Sequence, residues 1–98
     1  MEQEFINKYI GEKIRHKRKC MGMTQTDLGD FLGVSTQQIS KYEKGIDHIN
    51  LVNLYRLSRA LKTRVNSFLD GMQSSLDNKK KLENINFVKL ERYEEKNH

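Results

Sequence analysis

The residues best suited to chemistry lie between Thr36 and Lys44. Read as a helix, this stretch puts Ile39 and Tyr42 on one side and Thr36, Gln37, Ser40, Lys41 and Lys44 on the other. The outer set carries an amide, hydroxyls and ammonium groups but no carboxylate. A DNA major groove admits a helix. There glutamine pairs bidentately with adenine, lysine donates to guanine O6 and N7, and the threonine methyl meets that of thymine. An ordinary polar surface would account for Gln, Ser and Thr, but less well for the absence of glutamate. Catalytic grammar is missing: His16, His48 and His98 are scattered, with no carboxylate pair, nucleophile arrangement or phosphate-cradling glycine loop. We therefore expect no enzyme and no cofactor. The single cysteine, Cys20, excludes an internal disulfide and a cysteine-cluster metal site, so no metal is expected and a reducing compartment fits.

Positioning such a helix requires neighbours, and the sequence marks them by repeated start signals. Thr24 reads as an N-cap with Asp27 three residues on, and Met23 and Leu28 form a hydrophobic staple. Ser35 repeats the pattern with Gln38 in the box position and Val34 with Ile39 as staple, and Asn50 repeats cap and staple with Ile49 and Leu54. Helix starts are expected near 25, 36 and 51. Gly33 supplies the positive φ of a tight reversal between the first two. Gly29, normally a cost inside a helix, is explained if the third helix crosses the second there. A first helix is expected from about Phe5 to Cys20, with Ile6, Ile10, Ile14 and Met21 on its core stripe, Tyr9 beside it, and Gly22 as left-handed cap. Its cations Lys13, Arg15, Lys17 and Lys19 read as a solvated face. A fourth helix, about 51 to 61, places Leu51, Leu54, Leu57 or Ser58, and Leu61 on a core stripe widened by Val52 and Tyr55. A short fifth helix follows Asn66, with Val65, Phe68 and Leu69 closing the core and Gly71 ending it.

With those residues in place, the chain resembles the helix-turn-helix of the Cro and phage-repressor superfamily, the Xre-like group, over about 5 to 71. The shared pattern is T-Q-x-x-L-G-x-x-L-G-V-S-x-x-x-I-S-K-Y-E-K-G. The resemblance implies an all-α, compact five-helix, lambda-repressor-like domain at 1–71 with a C-terminal extension at 72–98. It also implies that Thr36, Gln37 and Lys41 contact bases. Ser40, on the same face at the groove edge, is grouped with them. Gln25, Ser35, Lys44 and Asn50 match phosphate-contacting positions, Gln25 also bracing the recognition helix. An arginine late in the first helix commonly pairs with the glutamate of the Y-E-x-G stretch, here Arg18 and Glu43. Gly29 departs from the more usual alanine, and the extension lies outside the shared core.

The whole chain agrees with this reading. Its 98 residues hold one modest core, and its net charge of +5 favours an acidic partner, most commonly nucleic acid. MEQEFINKYI has no long apolar run, so neither a secretory signal nor a membrane contact is expected, and a cytoplasmic location follows. No small-molecule ligand is legible. One recognition helix reads few base pairs, so a homodimer on double-stranded DNA is expected. The extension reads as linker-like at first, then as a helix carrying Leu82, Ile85, Phe87, Val88, Leu90 and Tyr93. Phe68, Ile85, Phe87 and Leu90 are the candidate dimer contacts. The function expected is a transcriptional regulator, a repressor on a palindromic operator. The alternative is an antitoxin-type module that binds a protein through its tail and its own operator through this domain.

Overall fold

The computed structural model describes residues 2–83. Its helices are α1 (Glu2–Cys20), α2 (Gln25–Leu32), α3 (Thr36–Lys44), α4 (Leu51–Ala60), α5 (Val65–Leu69) and α6 (Met72–Glu83). Helices α1 to α5 form a compact all-α domain around Ile14, Leu28, Leu32, Ile39, Tyr42, Leu54, Leu57, Ala60, Leu61 and Phe68. Among the described residues there is no strand. The expected contacts Ile85, Phe87 and Leu90 lie outside the described residues.

Local signals set the helix starts. Thr24 accepts from the Asp27 N–H at 2.9 Å while Asp27 Oδ2 accepts from the Thr24 N–H at 2.9 Å, so two otherwise orphaned amides are satisfied together. Asn50 caps α4 by accepting from the Asn53 N–H at 2.7 Å. The hydrogen bond from the Thr24 backbone, then that from its side chain, holds the Asp27 carboxyl below the usual carboxylate range. A depressed folded pKa stabilises above the unfolded value, near ~3.9, and that stabilisation is lost as pH falls through the folded value. Thr24→Ala should cost about 1 kcal/mol at neutral pH. Urea denaturation at pH 7 checks this, and the same measurement on Asp27→Ala at pH 7 and pH 3 should show its gap to the parent narrow at the lower pH, where the carboxylate that accepts from the Thr24 N–H is protonated. A gap independent of pH would remove Asp27 from the cap.

Close approaches explain two glycines. A Cβ on Gly29 would lie 2.8 Å from the Val34 carbonyl oxygen, so it is the turn, rather than the body of α3, that fills the space. Gly11 is buried where α1 crosses the end of α3, and a Cβ there would run into the Tyr42 carbonyl and lie 2.7 Å from that of Glu43. The buried face of α1 is therefore Gly11, Ile14 and Arg18, and Met21, expected on the core stripe, is exposed.

Two other expectations are corrected. In α4 the core takes Leu54, Leu57, Ser58 and Ala60, while Leu51, Val52 and Tyr55 face outward. The neighbours packed on α4, chiefly α2 and α5, leave that outer part of the wide apolar stripe unused. The stretch after Gly71, read as linker-like, is helical to Glu83 and packs on α1. Leu76 is buried, Lys79 stands 5.2 Å from the centre of the Phe5 ring, and Lys80 pairs with Glu2 at 3.1 Å. Tyr9 donates from its hydroxyl to the Asp70 carbonyl at the α5–α6 corner.

Candidate nucleic-acid interface

The α2–α3 connection is Gly33-Val34-Ser35. Gly33 takes φ 73° and ψ 30°, a conformation that costs a residue with a Cβ roughly 1–2 kcal/mol. The Val34 N–H donates to the Gly29 carbonyl at 2.9 Å, which closes the turn. Ser35 then starts α3 by accepting from the Gln38 N–H at 3.0 Å. Only half of the expected box forms, because the Gln38 side chain donates to Asp47 at 3.2 Å and ties α3 to the loop beyond it.

Ile39 and Tyr42 hold α3 against the core, and the Tyr42 hydroxyl accepts from Asn53 Nδ2 at 3.1 Å, joining α3 to α4. On the opposite side Gln37, Lys41 and Lys44 are exposed, and Thr36 and Ser40 are half-buried. The Thr36 and Thr26 hydroxyls share a hydrogen bond of 3.1 Å between the first turns of α3 and α2. That contact fixes the Thr36 rotamer and was not foreseen, because nothing in sequence spacing links position 26 to 36.

Glu43 is the carboxylate of α3, and it is withdrawn from the outer face. Arg18 donates to it twice, Nε to Oε2 at 2.6 Å and Nη2 to Oε1 at 3.0 Å, with side-chain exposures of 9% and 2%. Gln25 Nε2 adds a bond to Oε1 at 3.1 Å, and Arg18 Nη1 reaches the Met23 carbonyl at 2.8 Å. Hydrogen bonding to Glu43 is the main cause that raises the Arg18 pKa, so the guanidinium stays charged. The network ties α1 to the start of α2 and the end of α3, and it leaves the outer face of α3 with its lysines and no carboxylate.

The remaining sequence candidates fall around that face. Ser35 and Asn50 use oxygen lone pairs for their caps, leaving the serine proton and the asparagine amide hydrogens as donors. Lys44 and Gln25 line a cleft between α1 and α3 together with Lys8, Glu12, Arg15 and Glu43. Lys8 and Arg15 were read as solvated or passed over. Their spacing with Glu12 already puts them on one side of α1, but only the fold shows that this side borders α3. Phe68 is 1% exposed and sits in the domain's own core, so it cannot serve as a dimer contact. Among the described residues no group of His, Cys, Asp and Glu could hold a metal ion, and no helix is long and apolar enough to cross a membrane. His48 is exposed, and His16 Nε2 lies 3.6 Å from Cys20 Sγ on the surface of α1.

Comparison with known proteins agrees with this geometry. A family model described as helix-turn-helix matches residues 14–68. An uncharacterized HTH-type transcriptional regulator of Sinorhizobium fredii is 37% identical over 65 residues, covering 66% of this chain and 46% of its own length. Repressor protein C2 of Salmonella phage P22 is 39% identical over 62 residues, covering 63% of this chain and 29% of its own. The chain thus spans less than half the length of these curated relatives. Among solved structures, the clp gene regulator ClgR from Corynebacterium glutamicum has the same fold, with a TM-score of 0.69 and 23% identity over 85% of this chain and 88% of that one. The restriction-modification controller protein C.AhdI from Aeromonas hydrophila superposes with a TM-score of 0.60 at 24% identity, covering 62% and 92%.

Proposed function

The chain belongs to the helix-turn-helix family, and on that premise we propose that it is a sequence-specific DNA-binding transcriptional regulator, a cytoplasmic repressor acting as a homodimer on a palindromic operator. α3 enters the major groove. The observation that carries this reading is the outer face of α3, where Gln37, Lys41 and Lys44 are exposed while Glu43 is buried under Arg18. Such a face offers donors to base edges and phosphates and opposes neither with negative charge. Thr36, Gln37, Ser40 and Lys41 are the base-contacting set, and Gln25, Ser35, Lys44 and Asn50 the phosphate-contacting set. No catalytic step is involved.

Selection of bound sequences from a random DNA pool tests the reading. It should return two inverted half-sites about 10 base pairs apart, centre to centre. Failure to enrich any sequence would overturn it. Within the site, Gln37→Ala should cost about 1–3 kcal/mol on the selected sequence and relax preference at one base pair. An equal loss on random DNA would contradict a base-reading role. Lys44→Ala should weaken all sequences alike and shallow the slope of log K against log salt by about 0.9. An unchanged slope would take Lys44 out of the backbone contacts.

A further inference from the structure

We propose that the outer face of α4 is a seat for residues 85–95 of a second copy of this chain, an inference that rests on the homodimeric reading above. Leu51, Val52 and Tyr55 are 76%, 66% and 53% exposed and share one side of the first turns of α4. In a chain with 32% charged residues this is a concentrated apolar surface, and the core does not use it. Arg56 and Arg59 are exposed on the same helix, and α4 contains no carboxylate. The Arg59 guanidinium lies 6.0 Å from the centre of the Tyr55 ring and donates to its hydroxyl at 3.3 Å, so cation and apolar surface adjoin.

Charge and area together select the occupant. Two α4 faces packed directly on each other would set arginine against arginine. Three side chains also fall short of the roughly 800 Å² per partner that a stable interface buries. What fits is a segment both apolar and acidic, and residues 85–95 have that composition. Ile85, Phe87, Val88, Leu90 and Tyr93 are interleaved with three glutamates against one lysine and one arginine. The exit point of the chain agrees. α6 brings Lys80 onto Glu2, and one turn further along α1 Ile6 lines a cleft with Ile49 and Leu54, where α4 begins. Asn50, proposed above as a phosphate contact, immediately precedes Leu51. The seat therefore adjoins the proposed DNA face, the side on which the homodimeric reading brings a second copy to the adjacent half-site. Reciprocal exchange gives two such seats per dimer and adds the area that α4 alone lacks.

The test uses the full chain. In sedimentation equilibrium, Val52→Glu and Leu90→Glu should each weaken self-association at least tenfold, with the helical circular dichroism of the parent retained because Val52 is outside the core. A parent that is monomeric at tens of micromolar overturns the homodimeric reading and this inference with it. A dimer that neither substitution weakens overturns the inference alone. Source is read by cross-linking in a Cys20→Ser background, with a short bismaleimide joining one chain carrying Val52→Cys to another carrying Leu90→Cys. A product of twice the chain mass in the mixture is expected. Cross-linking only within a single chain bearing both cysteines would assign the seat to the chain's own tail and overturn the exchange.

Discussion

Glu43→Ala is expected to destabilise the domain by about 3–5 kcal/mol, the cost of leaving one member of a buried ion pair without its partner. Arg18 would keep its bond to the Met23 carbonyl but lose both carboxylate bonds, and Gln25 would lose its acceptor. For a domain of ordinary total stability, about 5–15 kcal/mol, that is a large share, and the melting temperature should fall by more than about 10 °C. Replacing both partners by apolar residues, Arg18→Met with Glu43→Leu, should cost less than either single change, because no charge is then left buried. Urea denaturation of the parent, Arg18→Met, Glu43→Leu and the double variant forms a double-mutant cycle, with Glu43→Ala measured beside it. A loss below about 1 kcal/mol for Glu43→Ala would place the pair among solvent-screened surface bridges. DNA affinity should fall with the single variant even where it remains folded, since the pair anchors the end of α3.

Gly11→Ala should be costly for so small a substitution, about 2 kcal/mol net or more. Alanine is the better helix former by about 0.8–1 kcal/mol, so propensity alone predicts stabilisation. Against it stand two backbone carbonyls, those of Tyr42 and Glu43, which cannot rotate aside as a flexible side chain would. α1 and α3 must part, and contacts of Ile14 and Ile39 in the core loosen as they do. Gly22→Ala provides the control. Nothing lies within 4 Å of a Cβ there, and its φ of 70° leaves only the backbone cost of roughly 1–2 kcal/mol. Thermal unfolding of both variants settles the comparison. A Gly11→Ala protein as stable as its parent would mean that the α1–α3 crossing is loose.

Much of the scaffold was legible because its instructions are local. The caps at Thr24, Ser35 and Asn50 each join a side chain to an amide three residues on, a span contained in any short window of sequence. Gly33 was legible for a similar reason, since a tight reversal demands a positive φ from the residue at that point. The pairing of Arg18 with Glu43 spans 25 positions and was anticipated only from resemblance to a family.

The misreadings share the opposite character. Leu51, Val52 and Tyr55 have the spacing of a core stripe, but periodicity says only that one side of a helix is apolar. It does not say how wide a neighbour will cover it. Gly11 was passed over because nothing local to α1 shows that α3 packs against it, and Gln38 preferred Asp47 to its own cap because the loop after α3 folds back within reach. Phe68 read equally well as core or as contact surface.

By itself, then, the sequence determined helices α1 to α5, the capped starts of α2, α3 and α4, the reversal before α3 and the chemical character of its outer face. Tertiary structure alone decided which flank of each helix is buried and which cations of α1 border α3. The physical reason is range. Caps and turns are satisfied by groups a few residues apart, whereas burial is decided by elements far apart in the chain that reach one another only once the core has closed.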